Sequence, residues 1–369
     1  MTEKAKEIFF KACLGLSALC LLGVLICWIA KAPAACRGLA VVCPIMLAIG
    51  LSGFPSLKGF RFTICIVGAV VAAMLFPERF LTIGEINLRD RRLILLIVQL
   101  VMFGMGTQMS VKDFLGVAKM PKAVIIGITC QFTIMPLVGF ALAKTLGFPP
   151  EIGAGIILIG SCSSGLASNV MAYMAGANLA LSVTLTAVAQ LLAPLLTPMW
   201  MKLLASEMVE VQFFTMMKNI ILMVLLPIIV AMIYNALRKD RLKRLHSFMP
   251  VLSMSGIIYF TAVTTAAGRD HLLKIGALLF VAAILHNTIG YILGYWATRL
   301  CGMDKDACRT IAIEVGLQNG GMASGLAGAM GKLATVGLAP AIFSPWMNVS
   351  GSVLANYWRR HKVGEKSKG

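Results

Sequence analysis

The stretch from Ile311 to Ser324 reads Ile-Ala-Ile-Glu-Val-Gly-Leu-Gln-Asn-Gly-Gly-Met-Ala-Ser. It places one carboxylate, two amides and three glycines inside a run of small and apolar residues. An ionised Glu at membrane depth costs several kcal/mol unless it is paired, so Glu314 is a candidate functional residue. Gly316, Gly320 and Gly321 each weaken a helix by about 1 kcal/mol relative to Ala. The stretch therefore predicts a helix that is broken in mid-membrane and offers bare backbone groups to a ligand.

The composition of the whole chain is that of an all-α polytopic membrane protein. Of its 369 residues 59% are hydrophobic and 13% are charged, and the mean hydropathy is +0.88. A membrane-spanning helix needs roughly 20 apolar residues. The polar connections are short, so no soluble domain fits between the spans. The predicted spans lie near residues 8–30, 38–54, 62–77, 92–107, 122–143, 152–174, 178–204, 213–235, 249–267, 272–298, 309–330 and 335–357.

The net charge of +18 predicts an orientation in the membrane. The basic residues lie at loop ends and form no stripe with aromatic residues, which argues against nucleic-acid binding. With a cytoplasmic N-terminus, most Lys and Arg residues fall on the cytoplasmic side, including the clusters 238–244 and 359–362. The connection Pro77–Arg92 opposes this orientation with four arginines. We expect a multi-pass protein of the cell (inner) membrane with both termini in the cytoplasm.

The first helix and the cysteines give further predictions. A basic start followed by Ala32-Pro33-Ala34 is compatible with a signal peptide, but the apolar run from Ala12 to Ala30 is longer than usual and favours an uncleaved helix. The ten cysteines show no CxxC or metal spacing. Cys13, Cys20 and Cys27 recur every seven residues, so we expect them to pack along one face of the first helix.

A second polar stretch, Gly160–Val170, is rich in Gly, Ser and Asn and lacks the GxxxxGK pattern of a phosphate loop. Ser182 and Thr186 follow on one helical face, where such hydroxyls often only bond the backbone one turn earlier. Gln131 lies within another apolar span. Its amide is either a contact between helices or a ligand contact.

The two polar stretches resemble each other at an offset of 156 residues. Gly165-Leu166-Ala167-Ser168 corresponds to Gly321-Met322-Ala323-Ser324, and Gln131 corresponds to Asn287, which follows His286. Five spans separate Gln131 from Asn287, so the two related halves would be inverted in the membrane. In that architecture two broken helices meet at the midplane and form a binding site.

The side chains around these stretches suit a hard cation. Neutral oxygens, one carboxylate and free carbonyls are available, while no cluster of Cys and His competes. Sodium is the obvious ion in a transporter. An anionic substrate would lie at the N-terminal ends of the second half-helices, against Leu166–Asn169 and Asn319–Met322. The ligands in question are Gln131, Ser168, Asn169, Ser182, Thr186, Glu314 and Gln318.

Four segments together resemble the signature of the bile acid:sodium symporter family: Ser164–Met171, Ala180–Thr186, Glu314–Asn319 and Trp346–Gly351. The likeness covers roughly residues 60–357. It implies ten helices in two inverted five-helix repeats with a pair of crossing discontinuous helices. Panel helices would span about 60–107 and 213–267, and core helices about 121–204 and 272–357. Residues 1–59 would be two additional N-terminal helices without assigned function, and 358–369 a basic cytoplasmic tail.

The resemblance also implies ligands. One sodium would be held by Ser168, Asn169, Ser182, Thr186 and Glu314. The second would be held by Gln131, Glu314, Gln318 and the carbonyls of Val315 and Leu317. The substrate would contact Asn319, Asn348 and the region of Ala167, Ser168 and Asn169. Leu166 and Met347 depart from the family pattern, where many relatives carry Thr and His.

These observations predict a sodium-coupled symporter that imports an organic carboxylate anion, bile-acid-like or small and pantoate-like, by alternating access. The alternative is a proton-coupled or sodium-independent carrier on the same fold. An enzyme is not expected, because HExxH and GxSxG motifs are missing and His286 fits an interhelical contact better than a proton carrier. The expected partners are sodium, the organic anion and the bilayer, and no cofactor is expected.

Overall fold

The computed structural model describes residues 3–30, 33–54, 60–237 and 242–361. Helices dominate, and the only sheet in these ranges is a hairpin of two short strands. The predicted all-α polytopic fold is confirmed. Most of the predicted tail, from residue 362 onward, and residues 238–241 of the basic cluster lie outside the described residues.

The chain divides into two compact units, of which the first comprises residues 1–88 and 261–269. It contains α1 (Glu3–Ile29), α2 (Pro33–Gly50), a short 3-10 turn (Leu51–Gly53), α3 (Phe60–Leu75), α4 (Pro77–Leu81) and the hairpin of β1 (Thr82–Ile83) and β2 (Ile86–Asn87). In this unit Ala73 packs with Ala262 and Ala266.

The first two helices pack along the face that carries the cysteines. Cys13 and Cys20 are buried, and Cys27 is half-buried. Between them, the Ser17 hydroxyl donates to the Cys43 carbonyl at 3.0 Å. The prediction of cysteines as packing residues is confirmed for the two buried positions.

The second unit comprises residues 89–260 and 270–369. Its first helices are α5 (Arg91–Gly106), α6 (Val111–Phe114), α7 (Gly116–Lys119), α8 (Pro121–Thr145), α9 (Pro150–Ser161), α10 (Leu166–Met174) and α11 (Leu179–Ala205). They are followed by α12 (Phe213–Ile220), a π-helical turn (Ile221–Leu225), α13 (Leu226–Leu237), α14 (Leu242–Ala267), α15 (Arg269–Leu300), α16 (Lys305–Gly316), α17 (Gly320–Ala329) and α18 (Leu338–Arg360). The ends of α14 and α15 near residues 261–269 belong to the first unit.

Within the described residues six helical segments are long and apolar enough to cross a membrane. Every predicted span coincides with a helix or with a pair of consecutive helices. The six segments are Ala5–Cys27, Cys36–Gly53, Pro121–Thr145, Leu179–Ala205, Phe213–Leu237 and Arg269–Leu300.

Two predicted spans are interrupted, one between α9 and α10 and the other between α16 and α17. At the first interruption Cys162 and Gly165 have extended backbones, and at the second Leu317 leaves the helical region with φ −112° and ψ 90°. The predicted mid-span breaks are therefore present. A helix, a broken pair and a helix occur twice in chain order, as α8 to α11 and as α15 to α18. The inverted orientation of these halves stays a prediction.

The half-helix α16, which carries Glu314, packs with α8 and α11 in one apolar cluster. Met135 of α8, Leu181 and Leu185 of α11, and Ile311 and Val315 of α16 are all buried in one cluster. Glu314 lies next to Val315 on α16, so this core fixes the position of the carboxylate relative to α11.

Candidate functional site

The two helix breaks are joined by backbone hydrogen bonds. The N–H of Asn319 donates to the carbonyl of Ser163 at 2.7 Å, and Ser164 pairs with Gln318 in an antiparallel bridge. A Cβ placed on Gly165 would lie 3.6 Å from the Cα of Asn319. The breaks thus satisfy each other's backbone groups, which water cannot do inside a bilayer.

Glu314 is the buried carboxylate of this region, with 2% of its surface exposed. Its Oε1 accepts a hydrogen bond from the Ser182 hydroxyl at 2.5 Å, and its Oε2 accepts one from the Thr186 hydroxyl at 3.0 Å. Spacing of four residues places both hydroxyls on one face of α11. In the described part of the chain no Lys, Arg or His forms a salt bridge with this carboxylate.

Asn169 adds a further acceptor to the same cluster. Its Oδ1 lies 2.8 Å from the Ser182 hydroxyl oxygen and 3.1 Å from that of Thr186. Each hydroxyl has only one proton, so the two carboxylate oxygens of Glu314 and this amide oxygen compete for two protons. The Ser168 hydroxyl is 3.4 Å from that of Thr186 and donates to the Gly165 carbonyl at 2.7 Å.

This excess of acceptors is what a hard cation satisfies, because such ions take carboxylate, amide, hydroxyl and carbonyl oxygens as ligands. All five residues predicted for the first sodium are brought together. The described residues contain no group of three or more His, Cys, Asp or Glu that could hold a metal ion. The cluster around Glu314 thus offers oxygen donors, the type that hard cations prefer.

The residues predicted for the second sodium form a separate group beside the breaks. The Gln131 side-chain amide donates to Oε1 of Gln318 at 2.8 Å and to the Cys162 carbonyl at 3.3 Å. The Gln318 amide in turn donates to the Val315 carbonyl at 2.6 Å. Oε1 of Gln131 is buried and has no hydrogen-bond partner within the described chain. The structure thus brings Gln131, Gln318 and Val315 together and leaves Oε1 of Gln131 as an unused acceptor. Both carboxylate oxygens of Glu314 instead accept hydrogen bonds from hydroxyls of α11. The carbonyl of Leu317 belongs to the same break.

The residues predicted to contact substrate flank the breaks. Asn319 caps α17, because its Oδ1 accepts from the N–H of Met322 at 3.0 Å. The Asn348 amide donates to the Ser344 carbonyl at 2.9 Å, and its side chain is half-buried. Ala167 is half-buried in the first turn of α10. Asn348 and Asn319 thus lie on α18 and at the start of α17.

Two features of the site escaped the sequence analysis. The Ser164 hydroxyl points into the oxygen cluster around Glu314, 3.5 Å from that of Thr186. The carbonyl of Gly316, at the end of α16, accepts a hydrogen bond from the Asn287 amide at 2.6 Å, and Ser350 donates to Asn287 from α18. The 156-residue offset identified Asn287 as the counterpart of Gln131, but it did not predict the hydrogen bond from Asn287 to the Gly316 carbonyl.

His286 makes the interhelical contact that the sequence favoured. Its Nε2 lies 3.1 Å from the Met135 carbonyl of α8, and its ring packs 5.3 Å from that of Phe343. It is fully buried, and its Nδ1 has no partner among the described residues.

A polar cavity of about 250 Å³ lies where α5 and α12 begin and α17 ends. Lys332 there pairs with Glu151, and Glu210 accepts from the Gln212 amide at 2.8 Å. Arg91 forms no salt bridge within the described residues. The polar residues that line the cavity are Arg91, Glu210, Gln212, Thr215, Asn219 and Lys332.

A polytopic helical protein with two joined helix breaks and a buried oxygen cluster is of the class of ion-coupled secondary transporters. The model of the sodium bile acid symporter family matches residues 94–275. An uncharacterized sodium-dependent transporter of Bacillus subtilis, YocS, is 40% identical over 313 residues, which cover 84% of this chain and 94% of that protein.

Two eukaryotic relatives are similar over less of their length. The probable chloroplastic sodium/metabolite cotransporter BASS1 of Arabidopsis thaliana is 32% identical over 71% of this chain and 65% of that protein. The ileal sodium/bile acid cotransporter of Homo sapiens is 30% identical over 61% of this chain and 65% of that protein. This chain belongs to the sodium bile acid symporter family, a family of sodium-dependent transporters.

Proposed function

We propose that this protein is a sodium-coupled symporter that imports an organic carboxylate anion by alternating access. The observation that carries the proposal is the arrangement around Glu314, where three acceptor oxygens share the protons of two hydroxyls. A buried carboxylate without a basic partner is costly in a membrane. A sodium ion among these oxygens removes that cost, so the ion and the folded site stabilise each other.

Two coupling ions are proposed. The first binds Ser168, Asn169, Ser182, Thr186 and Glu314. The second uses Gln131, Gln318, the carbonyls of Val315 and Leu317, and a carboxylate oxygen of Glu314. The unpartnered Oε1 of Gln131 supports this second site.

The proposed substrate is an anion that binds against the N-terminal ends of α10 and α17, near Ala167, Ser168, Asn169, Asn319 and Asn348. These half-helix ends carry partial positive charge, which favours an anion. The names of the relatives, a bile acid and a metabolite cotransporter, support a carboxylate that is bile-acid-like or small and pantoate-like. The polar cavity with Arg91 and Lys332 supports entry of an anion from that end.

Charge balance gives the proposal an electrical signature. Two sodium ions against Glu314 and one substrate carboxylate leave the loaded site near neutral. If Glu314 stays ionised, the cycle carries one net positive charge inward, worth about 2.3 kcal/mol per 100 mV. The proposed topology has both termini in the cytoplasm, panel helices at 60–107 and 213–267, and core helices at 121–204 and 272–357.

Uptake into proteoliposomes tests the function directly. A panel of carboxylates is offered with external sodium or with choline in its place, at zero and at inside-negative potential. Uptake that requires sodium and grows with the potential supports the proposal. Uptake that persists in choline indicates the sodium-independent alternative, and uptake that follows a pH gradient indicates proton coupling. The variant Glu314→Gln keeps the side-chain size and should lose the response to sodium.

A further inference from the structure

A groove of about 320 Å³ lies between α15 and α18. It shares no residue with the oxygen cluster around Glu314. Ile292 and Trp296 are 51% and 58% exposed beside it. Because α15 is long and apolar enough to cross a membrane, these exposed apolar side chains face hydrocarbon. The walls are formed by Tyr291, Ile292, Tyr295, Trp296, Leu354 and Trp358.

The aromatic walls are held in place by their neighbours. The Tyr295 ring lies 5.7 Å from that of Trp296 and 6.2 Å from that of Trp358. The Arg309 guanidinium lies 5.6 Å above the Trp358 ring and donates to the His361 carbonyl at 2.7 Å. Tyr and Trp are enriched at the level of lipid headgroups, so this end of the groove has the composition of a membrane interface.

A second, exposed arginine, Arg299, lies at that end of the groove on α15. Tyr295 and Trp296 lie three and four residues after Ile292. Arg299 lies four residues after Tyr295 and three after Trp296, so the four residues share one side of α15. Arg299 is exposed, and one of its N–H groups donates to the Met303 carbonyl at 2.9 Å. It forms no salt bridge within the described residues, and a guanidinium has further donors for an anion.

We infer that this groove binds an anionic phospholipid, with an acyl chain between α15 and α18 and the headgroup phosphate on Arg299. The apolar walls match hydrocarbon, and the exposed guanidinium of Arg299 on the same side of α15 matches a negative headgroup. A zwitterionic lipid would place a second positive charge near Arg299, so the groove discriminates by headgroup charge.

One wall residue of the groove, Tyr291, also joins the hydrogen bonds that hold the end of α16. The Tyr291 hydroxyl lies 3.3 Å from that of Ser350, which donates to Asn287. Asn287 in turn donates to the Gly316 carbonyl at the end of α16. A lipid against Tyr291 therefore steadies the same hydrogen-bonded chain that holds the break. This consequence for transport rests on the proposed function, whereas lipid binding itself does not.

Native mass spectrometry of the full chain in detergent tests the binding, with phosphatidylglycerol and phosphatidylcholine of identical acyl chains as probes. We expect one retained phosphatidylglycerol, bound at least about fivefold more tightly than phosphatidylcholine. Arg299→Gln should remove this preference. Arg360→Gln is the matched control, since Arg360 is equally exposed but lies roughly 200° around α18 from Trp358.

A second pair of variants tests the acyl site independently of charge. Leu354→Trp fills the groove and should abolish retention of both lipids, whereas Val353→Trp places the same indole at an exposed neighbouring position and should not. Equal retention by wild type, Arg299→Gln and Leu354→Trp overturns the inference. If the wild type is instead a dimer without bound lipid, and Leu354→Trp disrupts that dimer, the inference is also overturned. The groove is then an interface with a second copy of the chain. Because none of these readouts is transport, they stand or fall separately from the symporter proposal.

Discussion

The backbone N–H of Asn319 lies 2.7 Å from the carbonyl oxygen of Ser163, although the two residues belong to different broken helices. The adjacent bridge between Ser164 and Gln318 extends this pairing. The contact sets the hydroxyl of Ser164 beside the oxygen cluster around Glu314 and the side chain of Gln318 beside Gln131. Movement at either break is therefore transmitted to both groups of proposed sodium ligands.

The hydroxyl of Thr186 should be required for sodium binding. Thr186→Val keeps the shape of the side chain but removes one oxygen beside Glu314 and Asn169. We expect the sodium concentration for half-maximal uptake to rise about tenfold, equivalent to about 1.4 kcal/mol. Thr184→Val is the control, because the Thr184 hydroxyl bonds the carbonyls of Ala180 and Asp113 outside the cluster. Equal effects of both substitutions would contradict a ligand role for Thr186.

Gln131 should be required for the second ion only. In Gln131→Met the side chain keeps its length and loses the unpartnered Oε1. The Hill coefficient for sodium should fall from about 2 toward 1, since it is limited by the number of sites. Sodium titrations of uptake measure this value. Gln99→Met serves as comparison, because Gln99 bonds the Leu222 carbonyl on another part of the unit. An unchanged Hill coefficient in Gln131→Met would rule out the proposed second sodium site.

Gly320 should tolerate no side chain, in contrast to its neighbour. A Cβ on Gly320 would lie 2.7 Å from Cβ of Ser344, whereas one on Gly321 would meet nothing closer than 3.5 Å. Overpacking of this kind costs about 1–3 kcal/mol. Gly320→Ala should therefore lower the unfolding temperature and uptake, and Gly321→Ala should not.

A second substitution at Ser344 should restore the stability that Gly320→Ala loses. Ser344→Gly removes the Cβ and the Oγ of Ser344, which are the atoms that the new methyl group would meet. The new glycine itself destabilises α18 by about 1 kcal/mol. The double variant Gly320→Ala/Ser344→Gly should be no less stable than Ser344→Gly alone. A double variant that unfolds as readily as Gly320→Ala would show that the glycine serves another purpose.

Arg91 should assist the entry of anions at the polar cavity. Arg91→Gln removes the cavity's cation that has no carboxylate partner in the described chain. We expect KM for the substrate to rise roughly fivefold, about 1 kcal/mol, with little change in the maximal rate. The effect should shrink at high ionic strength. Arg92→Gln removes an exposed charge next in sequence that does not line the cavity, and it should leave KM unaltered.

Much of the candidate site could be predicted from the sequence because charge in a membrane is rare. Glu314 was identified by the cost of burying it. Ser182 and Thr186 were assigned through the family resemblance, because their spacing of four on one helix was equally compatible with backbone hydrogen bonds. The role of Ser164 could not be predicted, since helical periodicity stops at Cys162 and the extended backbone decides which way the next side chains point. The pairing of Gln131 with Gln318 joins residues 187 positions apart.

The fold was predictable at the level of its helices for a similar reason. Hydropathy located each span, and clustered glycines and serines located both breaks. The polar cavity and the lipid groove depend on which helices lie side by side. Arg91 and Lys332 carry no local signal that they line the same cavity, and the same holds for Ile292 and Leu354 in the groove.

The joint between Ser163 and Asn319 consists of main-chain atoms, so it is indifferent to the identity of the side chains around it. Substitutions of Leu166 or Ala167, just beyond the first break, would therefore alter the proposed substrate surface and leave this main-chain bond in place.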